Sequence, residues 1–260
     1  MDQNKIQQYS DELYEALIGR RPIEPLTDRD PSISIDDAYH IQQRMIARRL
    51  EKGETIVGKK IGATSKAVQQ MLDVHQPDFG YLLSGMVYNQ GEAIPADDLI
   101  APRAEGEIAF ILKRDLMGPG VTAAAVLSAT EFVMPCFEIV DSRIKDWKIK
   151  IQDTVADNAS CGVFVLGDRA VDPRELDLNL VGMTVEKNGE LVATGAGAAA
   201  LGSPLNAVAW LANTMGRLGI PLKAGEVILS GSLAPLIPVK AGDSLRMAIG
   251  GMGGCSVRFV

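Results

Sequence analysis

The stretch "PRAEGEIAF", residues 102–110, places two glutamates, Glu105 and Glu107, in a run that otherwise has the composition of a β-strand. Side chains two residues apart on a strand point to the same face of a sheet, so the two carboxylates are expected side by side. Adjacent carboxylates in a half-buried sheet repel each other and resist losing their water. The pattern therefore requires basic side chains, a solvent-facing edge or a metal ion to neutralise them.

A third glutamate, Glu138, lies in the apolar run "FVMPCFEIV", residues 132–140. A glutamate in such a run is predicted to be at least partly buried, and buried glutamates are rare unless they are paired. If the two runs form neighbouring strands, Glu138 faces Glu105 and Glu107. Three oxygen ligands without histidine or cysteine suit a hard cation such as Mg²⁺ or Mn²⁺. The alternative is neutralisation by basic side chains, for which the sequence offers Arg103, Arg143 and Lys60.

Composition excludes several classes of function. The 260 residues are 47% hydrophobic and carry a formal net charge of −7, which argues against a general nucleic-acid-binding surface. Cys136, Cys161 and Cys255 form an odd, widely spaced set that is typical of reduced thiols in a cytoplasmic protein. Two histidines, His40 and His75, are too few for a histidine-rich metal site. No signal peptide or apolar run of about 20 residues predicts export or a membrane span.

The chain changes character near residue 55. Residues 1–54 predict helices, the second of which begins at Ser34 with Asp37 three positions later, a capping-box pattern. Residues 55–260 predict mostly strands, including a hairpin that turns at Asn188 and Gly189. We therefore expect an α+β fold in which a small helical N-terminal cap, residues 1–54, precedes a β-rich catalytic domain, residues 55–260.

Several motifs together resemble one family. "EGEIAF" followed by "FEIVDSR", together with "GKKIGATS", "DVHQPDFGYL", "DTVADNAS" and "GAGAAALGSP", is similar to the fumarylacetoacetate hydrolase superfamily, in its branch of 2-hydroxypenta-2,4-dienoate hydratases (2-oxopent-4-enoate hydratases) of aromatic meta-cleavage pathways. The resemblance covers nearly the whole chain. It implies a β-rich core made of a folded-over mixed sheet with flanking helices, and a homo-oligomer.

The resemblance also implies roles for individual residues. A divalent metal ion, Mg²⁺ or Mn²⁺, is then held by Glu105, Glu107 and Glu138. Substrate-binding and catalytic positions fall on Lys60, Asp78, Ser160 and Leu72. Lys60 is the candidate for proton transfer at the 2-oxygen of the substrate, as a base whose neutral form is favoured by desolvation and a nearby cation. Asp78 is a candidate proton shuttle or water-orienting group, although its Gln-Pro-Asp-x-Gly context also suits a plain turn.

One further prediction and one open point accompany these roles. Lys59 should point to the opposite face of its strand from Lys60 and be dispensable. Ala63 and Cys161 depart from residues common in relatives, which leaves the shape of the pocket around the substrate open.

The implied activity is a lyase reaction, the hydration of a small 2-hydroxy-2,4-dienoic acid to 4-hydroxy-2-oxopentanoate. The main alternative is 2-oxo-3-hexenedioate (4-oxalocrotonate) decarboxylase, which shares the metal site but needs a pocket for a second carboxylate. A C–C hydrolase of acylpyruvates and a non-catalytic partner subunit of the decarboxylase are further alternatives. The hydratase is also expected to form a complex with that decarboxylase.

Overall fold

The computed structural model describes residues 1–71 and 73–260. Its helices are α1 Gln3–Gly19, α2 Leu26–Arg29, α3 Ile35–Glu51, α4 Lys66–Met71, α5 Ala123–Ala129, α6 Ile151–Ala156 and α7 Pro204–Arg217. Its strands are β1 Ile56–Gly62, β2 Asp78–Leu83, β3 Val87–Tyr88, β4 Ala93–Ile94, β5 Arg103–Leu112, β6 Thr130–Val140, β7 Cys161–Leu166, β8 Gly182–Lys187, β9 Glu190–Ala196, β10 Val227–Leu229, β11 Ile237–Pro238, β12 Ser244–Ile249 and β13 Gly253–Phe259. None of the described helices combines the length and apolar character that a membrane crossing requires.

The strands form two mixed sheets with flanking helices, as the α+β, β-rich prediction expects. The larger sheet has the order β2-β1-β10-β5-β6-β7-β3, with β11 paired to β5, and the smaller has the order β4-β13-β12-β8-β9. One continuous apolar core lies between the sheets and under α5 and α7. The long pair β5–β6 runs through the middle of the larger sheet, and this pair carries the glutamates.

The larger sheet curls so that its β2 end approaches the loop before β7. Asn158 connects the two, because its side chain donates to the carbonyl of Tyr81 at 2.9 Å and accepts from the Tyr81 amide at 2.8 Å. Strands β1 and β2 therefore face β5 and β6 across the inside of the curl, although β10 separates β1 from β5 within the sheet. This closure brings residues of distant strands into one site.

The N-terminal helices pack on the loop region that precedes β7. Helix α3 begins with the predicted capping box: the Asp37 amide donates to Ser34 Oγ at 3.1 Å, and the Ser34 amide donates to the Asp37 carboxylate at 3.0 Å. The apolar face of α1 and α3 forms a second cluster that includes Ile151 and Val155 of α6. The division between residues 54 and 55 stays a prediction.

Two local features follow from the residues at a turn and at a helix start, and the first confirms the predicted hairpin. Asn188 and Gly189 have φ values of 55° and 86°, the positive pair that a two-residue hairpin turn between β8 and β9 requires. Helix α7 begins at Pro204, and the Ser203 side chain before it makes no capping hydrogen bond. The fixed φ of proline already suits the first helical position and favours the start of this helix.

Candidate metal centre and active site

The site is built on three alternate residue pairs of β5 and β6. The antiparallel register sets Arg103 opposite Val140, Glu105 opposite Glu138, and a third pair, Glu107 and Cys136, next along the strands. Residues two apart share a face, so all three pairs point to the same side of the sheet. The sequence prediction that Glu138 faces the Glu105–Glu107 pair agrees with this register.

The three glutamates converge. Each offers a carboxylate oxygen, and these oxygens lie within 4.8 Å of one another. Glu107 and Glu138 are fully buried, while Glu105 is partly exposed. Oε2 of Glu107 accepts a hydrogen bond from the Gly231 amide at 2.7 Å. Among the described residues, Oε1 of Glu107 and Oε2 of Glu138 have no hydrogen-bond partner.

Burial and mutual repulsion strongly disfavour three negative charges here. Burial, with the charge of Glu138 as the second cause, raises the pKa of Glu105 to about 7. The same two causes raise the pKa of Glu107 well above its usual value. Buried carboxylate oxygens without partners are costly unless a cation compensates them. The all-oxygen donor set and the unpartnered oxygens fit a hard divalent cation.

Basic side chains compensate the acids only in part. Lys60 Nζ lies 3.2 Å from Glu138 Oε1. Arg143, the second candidate, instead forms a fully buried ion pair with Asp157, Nε to Oδ1, at 2.5 Å. Arg103 lies with its guanidinium over the ring of Trp147, 4.4 Å from the centroid. One lysine is therefore the basic partner of a three-carboxylate cluster, which leaves net negative charge for a metal ion.

Lys60 reaches the cluster from β1 across the inside of the curled sheet. Its Nζ donates to the Ala159 carbonyl at 2.9 Å as well as lying against Glu138. Burial by itself lowers the pKa of Lys60, but the charges of Glu138, Asp78 and Glu105 outweigh it and raise the pKa. By themselves, these carboxylates therefore favour protonated Lys60, not the neutral form expected from the sequence.

Lys59 points to the opposite face, as strand alternation predicts. There its Nζ forms a buried ion pair with Glu226 and also donates to the Pro221 carbonyl at 3.3 Å. Lys59 is only 2% exposed, so its replacement would leave a buried carboxylate without a cation. Lys59 therefore lies away from the three glutamates, and its role is structural, the neutralisation of buried Glu226.

Asp78 is the first residue of β2 rather than part of a turn. It pairs in register with Gly62 of β1, so that it lies beside Lys60 on the wall of the curl. Asp78 is buried, and its Oδ1 has no partner among the described residues. Burial is the main cause that raises its pKa, and the nearby charge of Lys60 opposes this rise.

Ser160 lies in the loop just before β7. Its backbone has a φ of 53°, and its hydroxyl lies 2.9 Å from the hydroxyl of Thr154. The buried pair Arg143–Asp157 braces this loop, because Arg143 also donates to the carbonyls of Asp157 and Cys161 at 2.6 and 3.0 Å. This support was not predicted, although charged residues inside apolar surroundings were a usable signal. Leu72, the remaining predicted substrate-binding residue, lies outside the described residues.

A pocket of about 360 Å³ brings these groups together, within the usual size range of small-molecule sites. Its lining includes Lys60, Asp78, Glu105 and Ser160, and also Arg103 and Trp147. Neither Arg103 nor Trp147 was predicted to contact substrate. The position of Arg103 two residues before Glu105 was a sequence signal for the same face of the strand.

Comparisons with known proteins agree with this architecture. Residues 55–260 match the sequence profile of the family described as fumarylacetoacetate (FAA) hydrolase C-terminal. A 2-hydroxypent-2,4-dienoate hydratase of Pseudomonas putida is 69% identical over 221 residues, which are 85% of this chain and 100% of that protein. A 2-hydroxyhexa-2,4-dienoate hydratase of Comamonas testosteroni is 60% identical over 99% of this chain and 98% of its own length.

A solved structure extends the likeness to three dimensions. The 4-oxalocrotonate decarboxylase from Pseudomonas putida G7, complexed with magnesium and adipate, superposes with a TM-score of 0.97 at 35% identity. The match covers 100% of this chain and 99% of the decarboxylase. The carboxylate cluster of the present chain likewise suits a divalent metal. From its family match, its relatives and its fold, this chain belongs to the fumarylacetoacetate hydrolase family.

Proposed function

We propose that this protein is a lyase that hydrates 2-hydroxypenta-2,4-dienoate (2-oxopent-4-enoate) to 4-hydroxy-2-oxopentanoate in aromatic meta-cleavage degradation. The observation that carries the proposal is the convergence of Glu105, Glu107 and Glu138. Glu105 connects this cluster to a pocket that Lys60 and Asp78 also line. Relatives that are 53–69% identical are named as 2-hydroxypent-2,4-dienoate, 2-hydroxyhexa-2,4-dienoate and 2-keto-4-pentenoate hydratases, which supports this reaction over others of the family.

The proposed metal is Mg²⁺ or Mn²⁺, held by the three glutamates. When bound there, such an ion supplies Lewis-acid stabilisation of an enolate oxygen and a grip on the carboxylate and 2-oxygen of the substrate. The remaining chemistry consists of proton transfers. The 2-hydroxyl loses its proton and C5 gains one. Water then adds to the conjugated double bond, with its oxygen bonding to C4 and a proton going to C3.

Lys60 is proposed to handle the proton of the 2-hydroxyl. The charges that raise its pKa belong to the cluster and Asp78, and burial opposes them. Once the cluster charge is neutralised, burial shifts Lys60 towards its neutral form, which can accept a proton. Its hydrogen bond to the Ala159 carbonyl holds the amine in place for this transfer.

Asp78 and Ser160 are proposed to act on the far end of the substrate. Burial raises the pKa of Asp78, so this carboxyl can carry a proton to C5 or orient the water that attacks C4. The Ser160 hydroxyl, adjacent to the Thr154 hydroxyl, can hydrogen-bond that water. Leu72 is proposed, from the family resemblance alone, to contact the hydrocarbon part of the substrate.

The second candidate is decarboxylation of 2-oxo-3-hexenedioate. The 35% identical decarboxylase structure favours it, because that protein binds magnesium and a six-carbon diacid on the same fold. The higher identity of the relatives named as hydratases favours hydration.

Three further assignments are part of the proposal. We infer a homo-oligomer, a complex with 4-oxalocrotonate decarboxylase and a cytoplasmic location. The decarboxylase neighbour supports the complex, and three free, buried cysteines support a reducing compartment.

The decisive experiment is incubation of the purified protein with 2-hydroxypenta-2,4-dienoate and Mg²⁺, with loss of dienoate absorbance followed and products identified by NMR. We expect 4-hydroxy-2-oxopentanoate, no turnover after chelation, and a loss of at least about 100-fold in Lys60→Met, in the range typical of a general acid–base group. Lys148→Met, which removes a 68% exposed lysine, is the matched control. Release of CO₂ from the six-carbon diacid without hydration of the dienoate would establish the decarboxylase instead. Inertness towards both substrates would favour the non-catalytic subunit.

A further inference from the structure

Arg103 lies one residue pair beyond the metal cluster on the same face of β5 and β6. It is two residues before Glu105 and opposite Val140, so its Cα is about 7 Å from that of Glu105. An arginine side chain spans this distance easily. Among the described residues Arg103 has no ion-pair partner, and it is one of the residues that line the pocket.

The guanidinium is held in a built position. It lies 4.4 Å from the ring centroid of Trp147, and the Trp147 indole Nε1 donates to the Ala101 carbonyl at 2.9 Å. Asp146 and Trp147 adopt left-handed backbone conformations, with φ values of 58° and 55°, which turn the indole back under the strand. A stacked arginine keeps its planar edge free to donate two parallel hydrogen bonds to a carboxylate.

The remaining walls determine which end of a substrate faces Arg103. Lys60, Asp78 and Ser160, the groups suited to proton transfer, lie on the side of the pocket formed by β1, β2 and the loop before β7. Arg103 lies on β5, at the outer end of the glutamate series. A 2-oxo acid whose carboxylate and 2-oxygen both bind at the glutamates can lie in either of two directions, with its reacting carbons extending towards one wall or the other.

We propose that Arg103 binds the C1 carboxylate of the substrate at the metal cluster and thereby fixes the direction in which the dienoate lies. This inference rests on the proposed function for the identity of the substrate, but the binding step needs only a 2-oxo acid. With C1 held by Arg103, C4 and C5 extend towards Asp78 and Ser160. The reversed orientation would place the carboxylate against the buried Asp78 and leave Arg103 without an anion.

The test compares a charged and an uncharged 2-oxo ligand. Wild-type protein saturated with Mg²⁺ is titrated calorimetrically with pyruvate and with pyruvamide, which lacks the negative charge. In Arg103→Gln we expect pyruvate to bind about 10- to 100-fold more weakly, the usual loss for a charge-assisted hydrogen bond, while pyruvamide binding is unchanged. Arg103→Lys, which keeps the charge but not the bidentate geometry, should lose less.

Two controls keep the result interpretable. Arg246→Gln, which removes an exposed arginine from the smaller sheet, should change neither ligand's affinity. Direct titration with Mg²⁺ should show that the Arg103→Gln variant binds the metal at least as tightly as wild type, because a positively charged arginine can only repel the cation.

Unchanged pyruvate affinity in a folded Arg103→Gln variant would overturn the proposal. Loss of adipate binding with intact pyruvate binding would also overturn it, because Arg103 would then serve a distal second carboxylate. Because binding is measured without turnover, an arginine-dependent pyruvate site in a protein that does not hydrate the dienoate would refute the proposed function and leave this assignment standing.

Discussion

Replacement of Glu107 by glutamine should make the metal-free protein more stable and abolish its response to Mg²⁺. Glu107 is fully buried in a cluster whose carboxylate oxygens lie within 4.8 Å of one another. Glutamine has nearly the same shape, and its carbonyl oxygen can still accept the hydrogen bond from the Gly231 amide. The substitution therefore removes like-charge repulsion without creating a cavity.

The magnitude follows from the distance. Two unit charges 4.8 Å apart repel by about 3.5 kcal/mol at an effective dielectric constant of about 20. Burial raises the pKa of Glu105 to about 7 and that of Glu107 well above its usual value, so part of this repulsion is already relieved by protonation at neutral pH. We expect a net gain of about 1–2 kcal/mol in the free energy of unfolding, or roughly 2–8 °C in Tm.

The assay is thermal unfolding with EDTA and with a Mg²⁺ series, alongside hydratase activity. Wild type should gain stability with Mg²⁺, since a ligand that binds only the folded state stabilises it by mass action. Glu107→Gln should not, and its activity should be lost. Glu131→Gln, which removes an exposed carboxylate from the neighbouring strand β6, should behave as wild type. A metal-free variant less stable than wild type would refute the repulsion argument. Full Mg²⁺-dependent activity would remove the cluster from the mechanism.

Three other predictions concern the surroundings of the cluster. Lys59→Met should lower the free energy of unfolding in urea by roughly 3 kcal/mol, because it leaves Glu226 buried without its cation. Activity per folded molecule should persist. A stability equal to wild type would contradict the structural role of Lys59. The pKa of Glu105 is raised to about 7 in the folded protein, so the metal-free fold loses stability as the pH rises from about 4.5 towards 7. Stabilisation by Mg²⁺ should therefore be larger at pH 8 than at pH 6. A Mg²⁺-induced shift in Tm that is independent of pH would count against this prediction. Gly62→Ala should reduce activity at least about tenfold, because the new Cβ would lie 2.1 Å from Oδ1 of Asp78 and displace that carboxyl; an unimpaired kcat would show that the position of Asp78 is unimportant.

Strand alternation and turn chemistry were sufficient for the local predictions. Glu105 and Glu107 share a face because the side-chain period of a strand is two. The hairpin turn at Asn188 and Gly189, and the capping box of Ser34 and Asp37, depend only on neighbouring residues. Such features are decided within a few residues of the chain, so the sequence alone determines them.

Tertiary structure decided which of the possible partners meet. The sequence left Arg103, Arg143 and Lys60 equal as neutralising groups, and the curl of the larger sheet places only Lys60 against Glu138. Arg143 is taken by Asp157 instead. The pairing of Glu105 with Glu138 rests on the β5–β6 register, and the meeting of Lys60 with Glu138 rests on closure of the sheet. Both depend on packing between segments far apart in the chain, where no local pattern states which side chains will touch.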